Sequence, residues 1–164
     1  AKQIQKLYAV DISPAMLAQC RGKCTDAGIT NVEFHQGGFL TYQHAGEPVD
    51  AVISQIAMHH LPDMWKQVAL LRIYDMLKPG GSFLLVDVIF TFEPRDYEQA
   101  LGQWVDAHVA QVGPEAVAHI KDEFSTFDWI MTEMLQRAGF IVETVTQRAP
   151  ESFIQAYVCR KPGN

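Results

Sequence analysis

The sequence is poor in the features that define several large classes of protein. Only three of its 164 residues are cysteine. That odd number, with no framework of spacings, argues against a disulfide-stapled fold and leads us to expect a reducing, cytoplasmic setting. No apolar run approaches the roughly 20 residues needed to cross a bilayer, and no secretory signal is visible. Basic residues are outnumbered, 13 Lys and Arg against 19 Asp and Glu, for a formal charge of −6. No Lys/Arg cluster interrupts that balance, so neither nucleic acid nor a membrane surface is an expected partner. Internal repeats and low-complexity runs are also missing.

What remains is a chain with 48% hydrophobic residues, enough for one domain with a real core. Apolar runs read as strands at Leu7 to Ile12, Val32 to Phe39, Val49 to Ile56 and Ser82 to Phe90. Between them stand helical stretches. Ser13 and Pro14 suit the N-cap and first turn of a helix that Gly28 ends. Leu17, Cys20, Cys24 and Ala27 form its stripe, so the cysteines read as small core hydrophobes. Asp63 suits the cap of a second helix with Trp65, Ala69, Ile73 and Met76 inward, and Lys78-Pro79-Gly80-Gly81 stops it. Near-continuous apolar strands separated by helices predict an α/β fold, a Rossmann-like doubly wound and mostly parallel sheet.

Beyond Phe90 the pattern changes. Leu101, Trp104, Val105, His108, Val109 and Val112 mark an amphipathic helix, and a second helical piece follows Pro114. Phe127, Ile130, Met131, Met134, Leu135 and Ala138 form another stripe, with Ser125 or Thr126 as cap and Gly139 as stop. Two final strands, Phe140 to Thr146 and Phe153 to Arg160, are joined too closely for a crossover helix and should pair antiparallel.

In open α/β sheets ligands bind beyond the carboxyl ends of the parallel strands. Three such ends are visible: Asp11-Ile12-Ser13, the stretch from Ser54 to His60, and Asp87 to Phe92. An acid ending an early strand, as Asp11 does, can accept two hydrogen bonds from a ribose diol. His59 and His60 offer imidazoles able to act as a base near neutral pH. Asp87 reads first as a hydrogen-bond acceptor for a neighbouring loop. His35, His44, His108 and His119 make no pair with metal-ligand spacing, so no metal is expected.

Four segments carry a resemblance: Tyr8-Ala9-Val10-Asp11-Ile12-Ser13-Pro14-Ala15-Met16-Leu17, Ala57-Met58-His59-His60-Leu61, Leu77-Lys78-Pro79-Gly80-Gly81-Ser82, and Ala138-Gly139-Phe140. In this order and at these intervals they resemble the class I S-adenosylmethionine-dependent methyltransferases. The similarity is strongest to the group acting on small molecules, such as the quinone-biosynthesis enzymes. The resemblance implies S-adenosylmethionine as cofactor. Asp11 would hold its ribose hydroxyls, Ile12 would pack on the adenine, and Gly38 and Phe39 would lie at the adenine edge. Ser54 and Gln55 would line the methionine end, with His59 and His60 near the methyl group or the substrate. A helical lid is expected over about residues 94–124, inserted in a single domain spanning residues 1–164.

Two departures from the family pattern stand out. Gly38 occupies a position where the family often has an acid. The resemblance also implies a first strand and a Gly-rich turn upstream of Asp11, yet only ten residues precede it and none is glycine. The chain is therefore expected to be an N-terminally truncated domain, its sheet completed by a missing segment or by self-association. The expected reaction is methyl transfer to an oxygen or carbon nucleophile of a small molecule. The segment Ser54-Gln55-Ile56-Ala57 replaces the Asn/Asp-Pro-Pro-Tyr of enzymes that methylate nucleic-acid amines. A non-catalytic, methyltransferase-like binding module and a nicotinamide-dependent oxidoreductase are the alternatives.

Overall fold

The computed structural model describes residues 4–112, 123–148 and 152–163, with the backbone alone over 107–112. The expected helix after Pro114, His119, and the side chains of His108, Val109 and Val112 lie outside the described residues. Two compact units make up the chain, Ala1–Glu47 and Pro48–Asn164.

In the first unit, β1 (Leu7–Asp11) and β2 (Val32–Gln36) pair in parallel, from Leu7 opposite Val32 to Asp11 opposite Gln36. The connection is α1 (Pro14–Asp26). The Ser13 hydroxyl accepts from the Met16 amide at 3.3 Å and Pro14 opens the first turn. Gly28, at φ 64°, ends the helix as its position implied. Leu17, Cys20 and Cys24 are half-buried while Ala27 is exposed, and no described residue of this unit is fully buried. β2 stops at Gln36, three residues short of the expected Phe39. The Gly37 amide makes the last ladder bond, to the Asp11 carbonyl at 3.0 Å, and the Gly38 carbonyl then closes a turn on the Tyr42 amide at 2.9 Å. Phe39 therefore belongs to a turn.

The second unit is built on β3 (Val49–Gln55), α2 (Asp63–Met76), β4 (Leu77–Phe90), α3 (Tyr97–Val112), the short β5 (Thr126–Phe127), α4 (Asp128–Arg137), β6 (Ile141–Gln147) and β7 (Ile154–Arg160). Its sheet runs β3-β4-β7-β6, with β5 joined to the end of β4. β3 and β4 are parallel, whereas β7 is antiparallel to both β4 and β6, as the short final connection required. Mixed α/β order with a mostly parallel start and an antiparallel end is the Rossmann-like class that the sequence predicted.

Packing concentrates on one face of β4. Phe83, Leu85, Asp87 and Ile89 are buried there, while Leu84 and Val86 on the other face are half-buried. The inward side of α2 is Lys66, Ala69, Leu70 and Ile73. Ala69 and Ile73 are buried as expected, but Trp65, expected inward, is 43% exposed and Lys66 is buried in its stead. Nor does Asp63 cap this helix: Pro62 takes the cap position and Asp63 lies in the first turn. At the other end of α2, the Lys161 ammonium donates to the carbonyls of Tyr74 (2.9 Å) and Leu77 (2.8 Å), satisfying groups a helix terminus leaves open. Gly80, at φ 75°, adopts the turn that glycine alone tolerates easily. Phe140 packs edge-on to Tyr74 at 5.2 Å and beside Phe83 at 5.4 Å. Trp104 anchors α3, buried against Phe90 and Phe153, while Phe124 is half exposed. No described helix is long and apolar enough to cross a membrane.

All three cysteines are free. Cys159 is fully buried, and burial pushes its thiol up to about 12, so it should be inert in the native state. A thiol-reactive chromophore is expected to label Cys20 and Cys24 in the folded protein and the third thiol only after denaturation. Prompt labelling of all three would show that the core around β7 opens.

Candidate active site

The carboxyl end of β3 turns sharply. Ile56 follows Gln55 at φ 46°, an uncommon conformation for a β-branched residue, costing on the order of 1–2 kcal/mol. Two attachments hold it. The Ile56 amide donates to the Val86 carbonyl at 2.8 Å, and the loop beyond is gripped by Asp87. One Asp87 oxygen accepts from the Met58 amide at 2.7 Å and the Ala57 amide at 3.4 Å; the other accepts from the Val88 amide at 2.8 Å and from His59 Nδ1. Asp87 and His59 are 1% and 3% exposed, so this is a buried carboxylate whose acceptor capacity is fully used.

Because a carboxylate only accepts, His59 must carry its proton on Nδ1. Its Nε2 lies 3.5 Å from a Glu123 oxygen. Burial alone would pull the His59 pKa down. The Asp87 hydrogen bond and the negative charges of Asp87 and Glu123 outweigh burial and raise it above its ordinary value. His60 is exposed, its ring centroid 4.2 Å from that of His59. The segment bearing Glu123 is tied down by three bonds: Phe124 N–H to the His59 carbonyl at 2.8 Å, the Lys66 ammonium to the Phe124 carbonyl, and the Thr126 hydroxyl to Asp63 at 3.2 Å. Lys66 is 1% exposed and also pairs with Asp63 at 2.8 Å. Thr126 thus sits in β5 and serves Asp63 rather than capping α4, whose cap position is Phe127.

Ser54 pairs with Leu85, and Gln155 with Asp87. Neighbours in register share a face, so Ser54, Asp87 and Gln155 lie on the same side of the sheet. Ser54 Oγ and Gln155 Oε1 are buried with no hydrogen-bond partner among the described residues. Gln55, next along β3, is exposed.

The first unit holds the other candidates. Asp11 is half-buried and accepts from the Ser13 amide at 2.7 Å. Ile12 is 72% exposed, which leaves an apolar side chain open to a ligand. Gly38 stands against it: a Cβ built there would come 2.8 Å from Ile12 Cγ2. Any side chain at this position, the acid of the family pattern included, would displace Ile12.

Residues 1–81 match the family described as a methyltransferase domain. In this stretch the chain is similar to the class I S-adenosylmethionine-dependent methyltransferases. It is 26% identical over 145 residues to an uncharacterized methyltransferase of Geobacillus kaustophilus, covering 88% of this chain and 63% of the relative. It is 26% identical over 149 residues to the carboxy-S-adenosyl-L-methionine synthase of Nautilia profundicola, covering 85% and 61%. Its fold matches the N-methyltransferase NodS of Bradyrhizobium japonicum, solved with S-adenosylhomocysteine. The TM-score is 0.68 at 14% identity, over 99% of this chain and 69% of that one. The chain thus spans a little over three fifths of the curated relatives it matches.

Within each unit the structure groups some of the residues expected from the methyltransferase pattern: Asp11, Ile12 and Gly38 in the first, His59 and His60 in the second. Two participants escaped the sequence reading. Glu123 lies far from the histidines in the chain. Lys66 lay hidden beside Trp65, which was expected inward in its place. Its spacing of three from Asp63 was the available signal.

Two substitutions test this geometry. Gly38→Ala should turn the exposed Ile12 side chain aside at a cost below about 1 kcal/mol, read by chemical denaturation; a larger loss would show that Ile12 is held in place. Asp87→Ala strands the Met58, Val88 and His59 donors. A loss of more than about 3 kcal/mol is expected, since each unmet buried donor costs about 1–3. A loss below about 1 kcal/mol would show that the loop after β3 does not depend on Asp87.

Proposed function

We propose that this chain belongs to an enzyme that moves the methyl group of S-adenosylmethionine to an oxygen or carbon nucleophile of a small molecule. The observation that carries this reading is positional. Asp11, Ile12, Gly38, Phe39, Ser54, Gln55, His59 and His60 all fall inside residues 1–81, the stretch that matches a methyltransferase domain. Each unit also carries, by itself, chemistry the cofactor needs. Asp11 is an anionic acceptor suited to a ribose diol, Ile12 an open apolar surface suited to adenine, and Ser54 a buried hydroxyl with an unmet hydrogen bond suited to the methionine end. Gly38 brings no side-chain acceptor to the adenine amino group, so in this reading backbone groups of the 37–42 turn recognise it.

When bound, S-adenosylmethionine supplies the electrophilic methyl. The chain's task is alignment, since displacement at carbon needs nucleophile, carbon and leaving sulfur in line. A base is needed only for a nucleophile that must lose a proton. The two adjacent histidines then divide the work. His60, exposed, is the one able to meet an acceptor's proton. His59, with Nδ1 held by Asp87, is the one that fixes the loop. We read 1–164 as one domain with a lid at about 94–124 that includes α3; residues 113–122 of that lid lie outside the described residues. The edges of β1 and β3 lack a second strand partner among the described residues. This supports the expectation that a further strand, from another segment or a second copy, completes each sheet. Three free cysteines support a cytoplasmic setting.

Calorimetric titration with S-adenosylmethionine and S-adenosylhomocysteine tests the reading. Both should bind, and Asp11→Ala should weaken each by about 10- to 100-fold, the loss of one or two charge-assisted hydrogen bonds. Equal affinity for the variant would sink the ribose assignment. Absence of binding by this chain and by the longest native form of the protein would sink methyl transfer itself.

A further inference from the structure

We propose that His59, His60 and Glu123 form a binding site for one divalent transition-metal ion of the zinc class, with Asp87 as the carboxylate that orients His59. The site stands whether or not the chain transfers methyl groups, and it lies wholly within the second unit.

The donor atoms of His59, His60 and Glu123 lie within 4.8 Å of one another. Two of them already stand at coordination spacing. His59 Nε2 and Glu123 Oε1 are 3.5 Å apart, and ligands 2.0–2.2 Å from a tetrahedral ion are separated by about 3.3–3.6 Å. His60, exposed, supplies the third donor within the same 4.8 Å. Two imidazoles and a carboxylate are a donor set that suits zinc and cobalt, and three protein ligands leave a fourth position open to an oxygen from solvent or substrate.

His59 is prepared for this role. Its Nδ1 proton is committed to Asp87, so Nε2, 3.5 Å from Glu123, is the nitrogen left to bind a cation. A proton there would join only His59 and Glu123. A metal ion uses all three donors. A metal-bound histidine whose other nitrogen is hydrogen-bonded to a buried carboxylate is the recurring arrangement that fixes ring orientation and raises ligand basicity.

The surroundings agree in rigidity. Glu123 is held in reach by the Phe124 bonds to His59 and Lys66.

Cobalt(II) is the probe, because its tetrahedral complexes with nitrogen and oxygen ligands absorb visibly and its calorimetric titration counts sites. The chelator-stripped chain is expected to bind one equivalent with a tetrahedral spectrum, displaced by zinc. Glu123→Gln and His60→Asn, both at positions outside the buried core, should each weaken binding by at least about 10-fold while leaving the thermal melt of the stripped protein unchanged. No cobalt binding, or binding as tight in both variants as in the parent, overturns the assignment. Loss of S-adenosylmethionine binding with cobalt binding intact would count against methyl transfer alone.

Discussion

The second unit depends on the carboxylate of Asp87. It lies on the inward face of β4 near its carboxyl end, where the chain after β3 must turn away. That turn exposes the amides of Ala57 and Met58, which belong to a short 3₁₀ segment with no side-chain cap. Buried amides require acceptors, and Asp87 supplies one oxygen to them and the other to Val88 and His59. A neutral side chain could not serve four donors. The same carboxylate fixes the tautomer of His59, so a requirement of the backbone determines the chemistry of a side chain.

From His59 the constraint passes to the segment after residue 122. The His59 carbonyl takes the Phe124 amide, and Lys66 bridges from α2 to the Phe124 carbonyl while paired with Asp63. Burying a lysine is costly without such partners. Its position in the inward face of α2, between residues that are wholly apolar, is therefore a choice of specificity over hydrophobic gain: it sets where β5 can dock and brings Glu123 to the histidines. The strained φ of Ile56 belongs to the same edge. Strain of this kind persists where the surroundings over-determine the backbone, and here the Val86 carbonyl and the Asp87 clamp do so.

Much of the fold was legible because its signals are local. Ser13, Pro14 and Gly28 bound α1 by cap chemistry alone, and the short link before β7 forced an antiparallel return. The methyltransferase resemblance was legible for the same reason, being carried by contiguous segments. What failed were single-residue phases. The stripe of α2 was read from Trp65, whose size suggests burial, whereas the helix turns Lys66 inward because two oxygens await its ammonium. β2 was carried through Gly37 to Phe39, since hydrophobicity does not reveal that the Gly38 carbonyl closes on Tyr42. Thr126 looked like a cap and is instead the partner of Asp63 across the fold. Glu123 could not have been found, since it joins the histidines only through tertiary packing.

The pair His59-His60 shows why sequence alone cannot apportion roles between neighbours. Written side by side, they are equivalent candidates for a base. In the fold, one is 3% exposed with one nitrogen bound to a carboxylate, and the other faces solvent. A base that must reach an incoming acceptor needs an accessible nitrogen and a ring free to settle on it; a group that fixes a loop needs the opposite. The two demands cannot be met by one residue, and adjacent residues in a 3₁₀ turn point apart by about 120°. The double histidine is thus the shortest way for a chain to place a held imidazole and a free one at the same strand end. A carboxylate arriving from a distant segment, Glu123, can meet both.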